Sequence, residues 1–339
     1  MGIQIKKIYY EQRVDKMAGQ LDRLYYGARG VLYNKLHLDP FRYDFIKKYA
    51  GVPIKSPELM NEAIRDGIMS GEPFMTGRFG GFEVFAMQSA EFGDMKKMKR
   101  AIDFLDKSAG FFPKDENLLY RFNDIMKEAC TQIDILGCWL VNYEDYYIRH
   151  YCRNIKCVGK LMAIEPWNVM EKPWSESLEG KRVLVIHPFE KTILSQYEKH
   201  DRLFDNPKLL PQFELKTLKA VQTSGSAVDS RFDTWFDALD YMCAECEKID
   251  FDVALIGCGA YGFPLAAHIK RMGKQAIHIG GALQILFGIK GRRWDESDTH
   301  LLYNENWVYP DESEIPAGAE KVENACYWEV KEEKKDEVR

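Results

Sequence analysis

From Gly180 onward the apolar positions alternate between two rhythms. KRVLVIHPF, FELKTLKAVQT, FDVALIGCG and KQAIHIGG are short apolar runs bounded by turn residues, the signature of buried strands. Between them EKTILSQYEKHDRLF, DTWFDALDYMCAECEKI and AYGFPLAAHIKRMG carry apolar residues three and four apart, which predicts helices, and ALQILFGI adds a short one. Upstream, SPELMNEAIRDG predicts a helix capped by Ser56, with Pro57 in its first turn and Gly67 at its end. EPFMTGRF, IDILGCWL and KLMAIEPW are expected strands, and GGFEVFAMQSAEF and ENLLYRFNDIMKEACTQ expected helices. Strands alternating with helices at this spacing predict an α/β fold with a mostly parallel, doubly wound, Rossmann-like sheet.

The two ends differ from this body. In residues 1–50, Leu21, Leu24, Tyr25 and Val31 recur near helical spacing among bases, acids and tyrosines. Two readings stay open: a helix packed on the body or on another subunit of a homo-oligomer, and an arm touching a membrane surface. The last residues, KEEKKDEVR, form a charge run expected to be a solvated end. The chain therefore divides into a helical N-terminal extension (1–55), an α/β domain (56–295) and a C-terminal extension with a charged tail (296–339).

Composition narrows the function classes. A net charge of -5 over 339 residues argues against a general nucleic-acid binder, which would normally show a clustered basic surface. No apolar run is long enough to span a bilayer and the start lacks a signal-peptide core, so the expected location is cytoplasmic, or peripheral at the inner face of the membrane. The eight cysteines are then expected to be reduced thiols. Cys243 and Cys246 sit late in a helical pattern with no second ligand pair nearby, unlike a zinc or thioredoxin motif.

In parallel sheets ligands bind beyond the carboxyl ends of the strands. This directs attention to GRFGGFE, CWLVNYED, EPWN, IHPFEKT, GCGAYGFP and HIGGALQ. Gly257, Gly259 and Gly262 follow a buried strand and open a helix, in the spacing of a dinucleotide fingerprint, with Tyr261 among them. Such a turn brings backbone N–H groups to a phosphate. The acid that holds the ribose of NAD or FAD is missing, because the next strand ends in Gly280-Gly281. Three readings remain: a nicotinamide oxidoreductase, glycines that serve strand–helix packing, and a site for a nucleotide or nucleotide-sugar phosphate. Gly280 and Gly281 precede another helix that carries Gln284, and Lys290, Arg292 and Arg293 follow. A diphosphate would suit that set. In TGRFGGFE, Arg78 ends a strand and Glu83 falls in the first helical turn, where it is either a favourable helix-end acid or a ligand for a sugar, a metal or an acceptor hydroxyl.

TGRFGGFE, together with DVALIGCGAYGFPLAAHIKRMGKQAIHIGGALQILFGIKGRRW, resembles the bacterial GT-D-fold glycosyltransferases and their relatives in surface-polysaccharide gene clusters. The match covers roughly residues 56 to 295. The resemblance implies a domain that binds a nucleoside-diphosphate sugar, UDP-linked by expectation, and passes the sugar to a glycan or glycolipid acceptor. Arg78, Phe79, Gly80 and Glu83 fit the family's early loop, whose Asp-x-Glu pair helps hold a divalent metal. Gly81 stands in place of that Asp and Phe82 in place of a Gly, so a Mn or Mg cofactor has one carboxylate where the family offers two. The alternative is a non-catalytic sugar-nucleotide-binding relative.

A transfer to a hydroxyl needs a base and a group that stabilises the departing diphosphate. Glu83, His187 and Glu190 are the candidate catalytic residues. Arg78, Lys191 and Arg292 are candidate phosphate partners. His278 and His268 are expected to be structural.

Overall fold

The structure, a computed structural model, describes residues 20–29, 31 and 47–329. Its strands are β1 (Lys48–Tyr49), β2 (Val52–Lys55), β3 (Phe74–Arg78), β4 (Ile135–Cys138), β5 (Cys157–Lys160), β6 (Arg182–His187), β7 (Glu214–Lys219), β8 (Val253–Ile256) and β9 (Gln275–His278). They form one sheet in the order β1-β2-β5-β4-β3-β9-β8-β6-β7. Among these strands, β1 alone is antiparallel to its neighbour; the other pairings are parallel.

The helices are α1 (20–29), α2 (Pro57–Ser70), α3 (Gly81–Glu91), α4 (Met95–Ala109), α5 (Leu118–Cys130), α6 (Glu144–Tyr151), α7 (Glu190–Tyr197), α8 (Trp235–Lys248), α9 (Gly262–Arg271), α10 (Leu283–Leu286) and α11 (Arg292–Asp295). They cover both faces, which explains why inner strands such as β6 and β8 read as apolar runs, whereas the edge strand β7, ELKTLK, is half-buried. Leu184 and Ile186 of β6, Ala254 and Ile256 of β8 and Ala276 of β9 enter one core, with α3, α4, α5, α8 and α9. Their neighbours Val183, Val185, Val253, Leu255 and Ile277 enter the other, with α2 and α10. The expected α/β, mostly parallel, doubly wound sheet is what the chain forms.

Several local expectations need correction. The helix expected to end at Gly67 runs on to Ser70, and Gly71, in the left-handed region at φ 70°, ends it. In KLMAIEPW the strand ends at Lys160 and the rest is a tight turn, Leu161–Ile164, in which Ala163 and Ile164 are buried. FGDMKKMKRAIDFLDKSAG forms α4, which the pattern reading missed although Met98, Ala101, Ile102 and Leu105 share one buried face. NYED, read as loop, opens α6 and buries two acids, Glu144 and Asp145.

The N-terminal helix packs on the body through residues other than the expected strip. Leu21, Leu24, Tyr25 and Val31 are exposed. Tyr26 and Arg29 are buried instead: Arg29 makes a bidentate pair with Asp145 of α6, at 2.7 and 2.5 Å, and the Tyr26 hydroxyl donates to the same carboxylate. The charged run from 331 to 339 lies outside the described residues. Among those described, no helix is long and apolar enough to cross a membrane.

Candidate functional site

The chain runs from β6 outward to β7 and then returns to the other side of β6 to form β8. This reversal opens a crevice beyond the carboxyl ends of β6 and β8, the usual ligand position of such sheets. A cleft of about 380 Å³ lies there, and loops after β3, β4, β6, β7, β8 and β9 all reach it. Of the residues singled out in the sequence, Arg78, Gly80, Glu83, His187, Gly257, Gly259, Tyr261, Gly280, Gly281, Gln284 and Arg293 line it; Glu190, Gly262 and Arg292 do not.

Arg78 is the last residue of β3, so its side chain leaves the sheet edge into the cleft. Its guanidinium lies over the Trp139 ring at 5.1 Å and pairs with no carboxylate among the described residues. Burial pulls its pKa below the usual arginine value, against the raising influence of Tyr327, Glu165 and Glu83. Glu83, in the first turn of α3, folds back over Gly80, where any side chain would collide with its carboxylate. Burial raises the Glu83 pKa; its own N–H and Arg78 oppose the shift.

Trp139 is placed by a buried acid. Glu144 accepts hydrogen bonds from the Trp139 N–H at 2.9 Å, the Leu140 N–H at 2.7 Å and the Tyr49 hydroxyl at 3.0 Å. Leu140 and Tyr143 both take left-handed φ values, 61° and 73°, so the carboxylate clamps a loop that the backbone alone would disfavour. Burial still dominates its titration and pushes the Glu144 pKa up to about 7.

The glycine turn after β8 serves packing more than the sequence suggests. A Cβ on Gly257 would lie 2.6 Å from the Gly280 oxygen and 2.7 Å from His187 Cδ2. One on Gly262 would collide with the buried His278 ring, which corrects Gly262 as a ligand residue. Gly259 has φ 56° and faces Ala109 at the end of α4. Tyr261 stacks flat on Trp235, with ring centroids 4.9 Å apart, so that face is closed to a base. The helix after Gly280-Gly281 is only Leu283–Leu286, too short to supply the helix-end charge expected there.

His187 lines the cleft, but its Nδ1 accepts the Phe189 N–H at 3.0 Å. The remaining proton therefore sits on Nε2, and burial pushes the pKa down to about 3. His187 is thus a neutral donor, which corrects its role as a base. Glu190 starts α7 away from the cleft, and the neighbouring Lys191 pairs with Asp311 at 2.7 Å. Arg292 turns to Glu296 and the Asn324 carbonyl. Gln284 directs its amide N–H groups to backbone carbonyls, at 2.8 Å for Lys290. His278 donates its Nδ1–H to the Ile256 carbonyl at 3.2 Å, and burial pushes its pKa down to about 3 as well. His268, on α9, lies beside Glu247 at 3.2 Å.

Three parts of the lining were missed: Ser108–Gly110 at the C-terminal end of α4, Gln222–Ser224 after β7, and the late residues Glu323, Tyr327 and Trp328. The signal for the last was the apolar island ACYW within an otherwise charged stretch, since such an island packs on something. The residues present do not fit a resident divalent metal. Glu83 has no second acid beside it in the loop, and no group of three or more His, Cys, Asp or Glu gathers among the described residues.

No family model matches the sequence, and no curated protein matches it significantly. Among solved structures, two of the domain of unknown function 1792, one described as having a distinct glycosyltransferase fold, align at TM-score 0.40 and 13% identity. Each alignment covers 76% of this chain and 96% of the other. A structure described as a new glycosyltransferase of that domain, from Streptococcus sanguinis, aligns at TM-score 0.42 and 11% identity, over 78% of this chain and 96% of that one.

Proposed function

We propose that the protein is a glycosyltransferase of GT-D-like fold that takes a sugar from a nucleoside diphosphate, UDP by preference, to the hydroxyl of a glycan or glycolipid in surface-polysaccharide synthesis. The observation that carries the reading is Arg78: a guanidinium held at the floor of the cleft against an aromatic ring, with no carboxylate paired to it among the described residues. A cation kept in that state suits an incoming anion. Arg293 lines the same cleft and supplies a second guanidinium.

In this reading the diphosphate lies across Arg78 and Arg293. Glu83, whose pKa burial has raised, takes the proton of the acceptor hydroxyl. The hydroxyl oxygen forms the new bond to the anomeric carbon as the carbon–oxygen bond to phosphate breaks, and the diphosphate leaves with that electron pair. The two guanidiniums stabilise its charge. The neutral His187 donates from Nε2 to an oxygen of the ligand. No step uses a metal, since the donor set does not fit one.

A second reading, a sugar-nucleotide-binding relative without turnover, is favoured by Gly81, which leaves Glu83 as the loop's one acid. Thermal shift and a UDP-release assay separate the readings. UDP should raise the melting temperature by mass action, and one UDP-sugar in a panel should release UDP when an acceptor is supplied. Stabilisation without release supports the second reading. Stabilisation by NAD or NADP alone would refute both.

A further inference from the structure

The last described segment closes over the cleft. Glu323, Tyr327 and Trp328 line it, and they follow one another through an unusual turn. Three successive non-glycine residues, Glu323, Asn324 and Ala325, have φ values of 47°, 59° and 59°. Left-handed residues normally occur singly, so this turn is strained backbone held in place by what its side chains touch.

Val322, Cys326 and Trp328 anchor it in the core, while Glu323 and Tyr327 touch the proposed anion site. The Glu323 carboxylate pairs with Arg293. The Tyr327 hydroxyl accepts from Arg293 at 3.3 Å, and its ring lies 4.9 Å from the same guanidinium. That ring also packs directly on Gly281, leaving no room for a side chain there. Glu323 is close enough to raise the Glu83 pKa, and Tyr327 and Arg293 both act on Arg78, so the five groups form one cluster. Closure leaves polar atoms unsatisfied: Trp328 Nε1 and Gln284 Oε1 are buried without a hydrogen-bond partner among the described residues. Unpartnered buried polar groups weigh against the arrangement that creates them.

We infer that Glu323 and Tyr327 are an internal stand-in for the ligand's anion, so that a nucleoside diphosphate enters by taking Arg293 from Glu323 and lifting Tyr327 off Gly281. This rests on the diphosphate reading above. The segment 322–328 then competes with substrate, and the measured dissociation constant is the intrinsic one divided by the fraction of molecules in which the segment is open. Release of the segment also breaks the Arg292 and Arg293 N–H bonds to the Trp328 and Cys326 carbonyls and the Gln284 bond to the Tyr327 carbonyl, a cost that ligand binding must exceed. The competition couples ligand entry to the exposure of the chain's late residues.

The test is Glu323→Gln in the full chain, which keeps size and removes the charge at a partly exposed position. Calorimetry with UDP and with inorganic pyrophosphate measures affinity, and hydrogen exchange measures opening of 322–328. The variant should bind both ligands about tenfold more tightly than wild type, an order-of-magnitude expectation for removing a tethered competitor. UDP should speed exchange of 322–328 in wild type. Equal or weaker binding by the variant, or slower exchange of the segment with UDP bound, would overturn the stand-in while leaving the diphosphate reading intact. Absence of binding of either ligand to both proteins would overturn the diphosphate reading itself, and this inference with it.

Discussion

Arg78→Met removes a cation that makes no ion pair among the described residues, while keeping a side chain of similar length. If Arg78 is structural, the variant should lose stability; if it awaits a ligand, the variant should gain it. The variant forgoes the stacking of the guanidinium on the Trp139 ring, about 0.5–1 kcal/mol for a cation–π pair at such a site. On the other side stands the cost of holding a guanidinium out of water, the largest influence on its pKa; nearby Tyr327, Glu165 and Glu83 offset part of it, and Arg293 adds a smaller repulsion. A net gain of about 0.5–2 kcal/mol is expected for relieving a functional residue of this kind. The sign reverses for the ligand. Hydrogen bonds to charged groups contribute about 1.5–3 kcal/mol, so UDP affinity should fall about 10- to 150-fold. Urea unfolding gives the first quantity, provided the slope with denaturant is unchanged, and calorimetry the second. Loss of more than about 1 kcal/mol of stability, the ordinary cost of a destabilising substitution, together with undiminished UDP affinity would refute the assignment of Arg78 to an anion.

Gly262→Ala should destabilise by about 1–3 kcal/mol through overpacking against the His278 ring, whereas Gly81→Ala, where a Cβ meets nothing, should be neutral or stabilising by up to about 1 kcal/mol; equal urea midpoints for the two would contradict the packing account. Glu83→Gln should abolish UDP release from a UDP-sugar while sparing UDP affinity, and EDTA should leave wild-type turnover in place; loss of activity in EDTA that manganese restores would show that other residues complete a metal site. The activity of wild type should rise with pH on a limb displaced above the ordinary carboxylate range, because burial raises the Glu83 pKa and the base acts only when deprotonated. Glu144 has a folded pKa of about 7 against 4.5 for the free side chain, so the folded state holds its proton more tightly. Its contribution to stability is complete below about pH 4.5 and declines as pH rises through about 7. Glu144→Gln should flatten that decline in unfolding free energy, and a wild-type stability that climbs across the same interval would contradict it.

The parallel sheet was legible because each buried strand is short, apolar throughout and bounded by turn residues, as in VLVI before His187 and VALI before Gly257. The cleft was legible in outline for the same reason, since strand ends locate it. What escaped was whatever depends on contacts far along the chain. Gly262 matches a phosphate fingerprint, yet its missing side chain makes room for His278, and no local pattern distinguishes those uses. Glu144 and Asp145 look like a solvated loop because their partners, Tyr49 and Arg29, lie far upstream. Arg292 and Arg293 are adjacent and alike in sequence, but a short helix turns one to Glu296 and the other into the cleft. Tyr327 and Trp328 were overlooked because charge surrounds them.

The neighbouring carboxylates of α6 have one further consequence. Asp145 grips the N-terminal helix through Arg29 and Tyr26, while Glu144 grips the loop that presents Trp139 to Arg78. Two successive residues of one short helix therefore hold a distant extension on one side and the mouth of the cleft on the other. Shortening the chain to begin at residue 47 would take Arg29 and Tyr26 from the Asp145 carboxylate, leave Arg149 at 3.4 Å as its ion pair, and loosen α6. The damage would surface at Trp139. The extension thus belongs to the same mechanical unit as the ligand-facing arginine, and a deletion meant to trim an appendage would act as a lesion in the site.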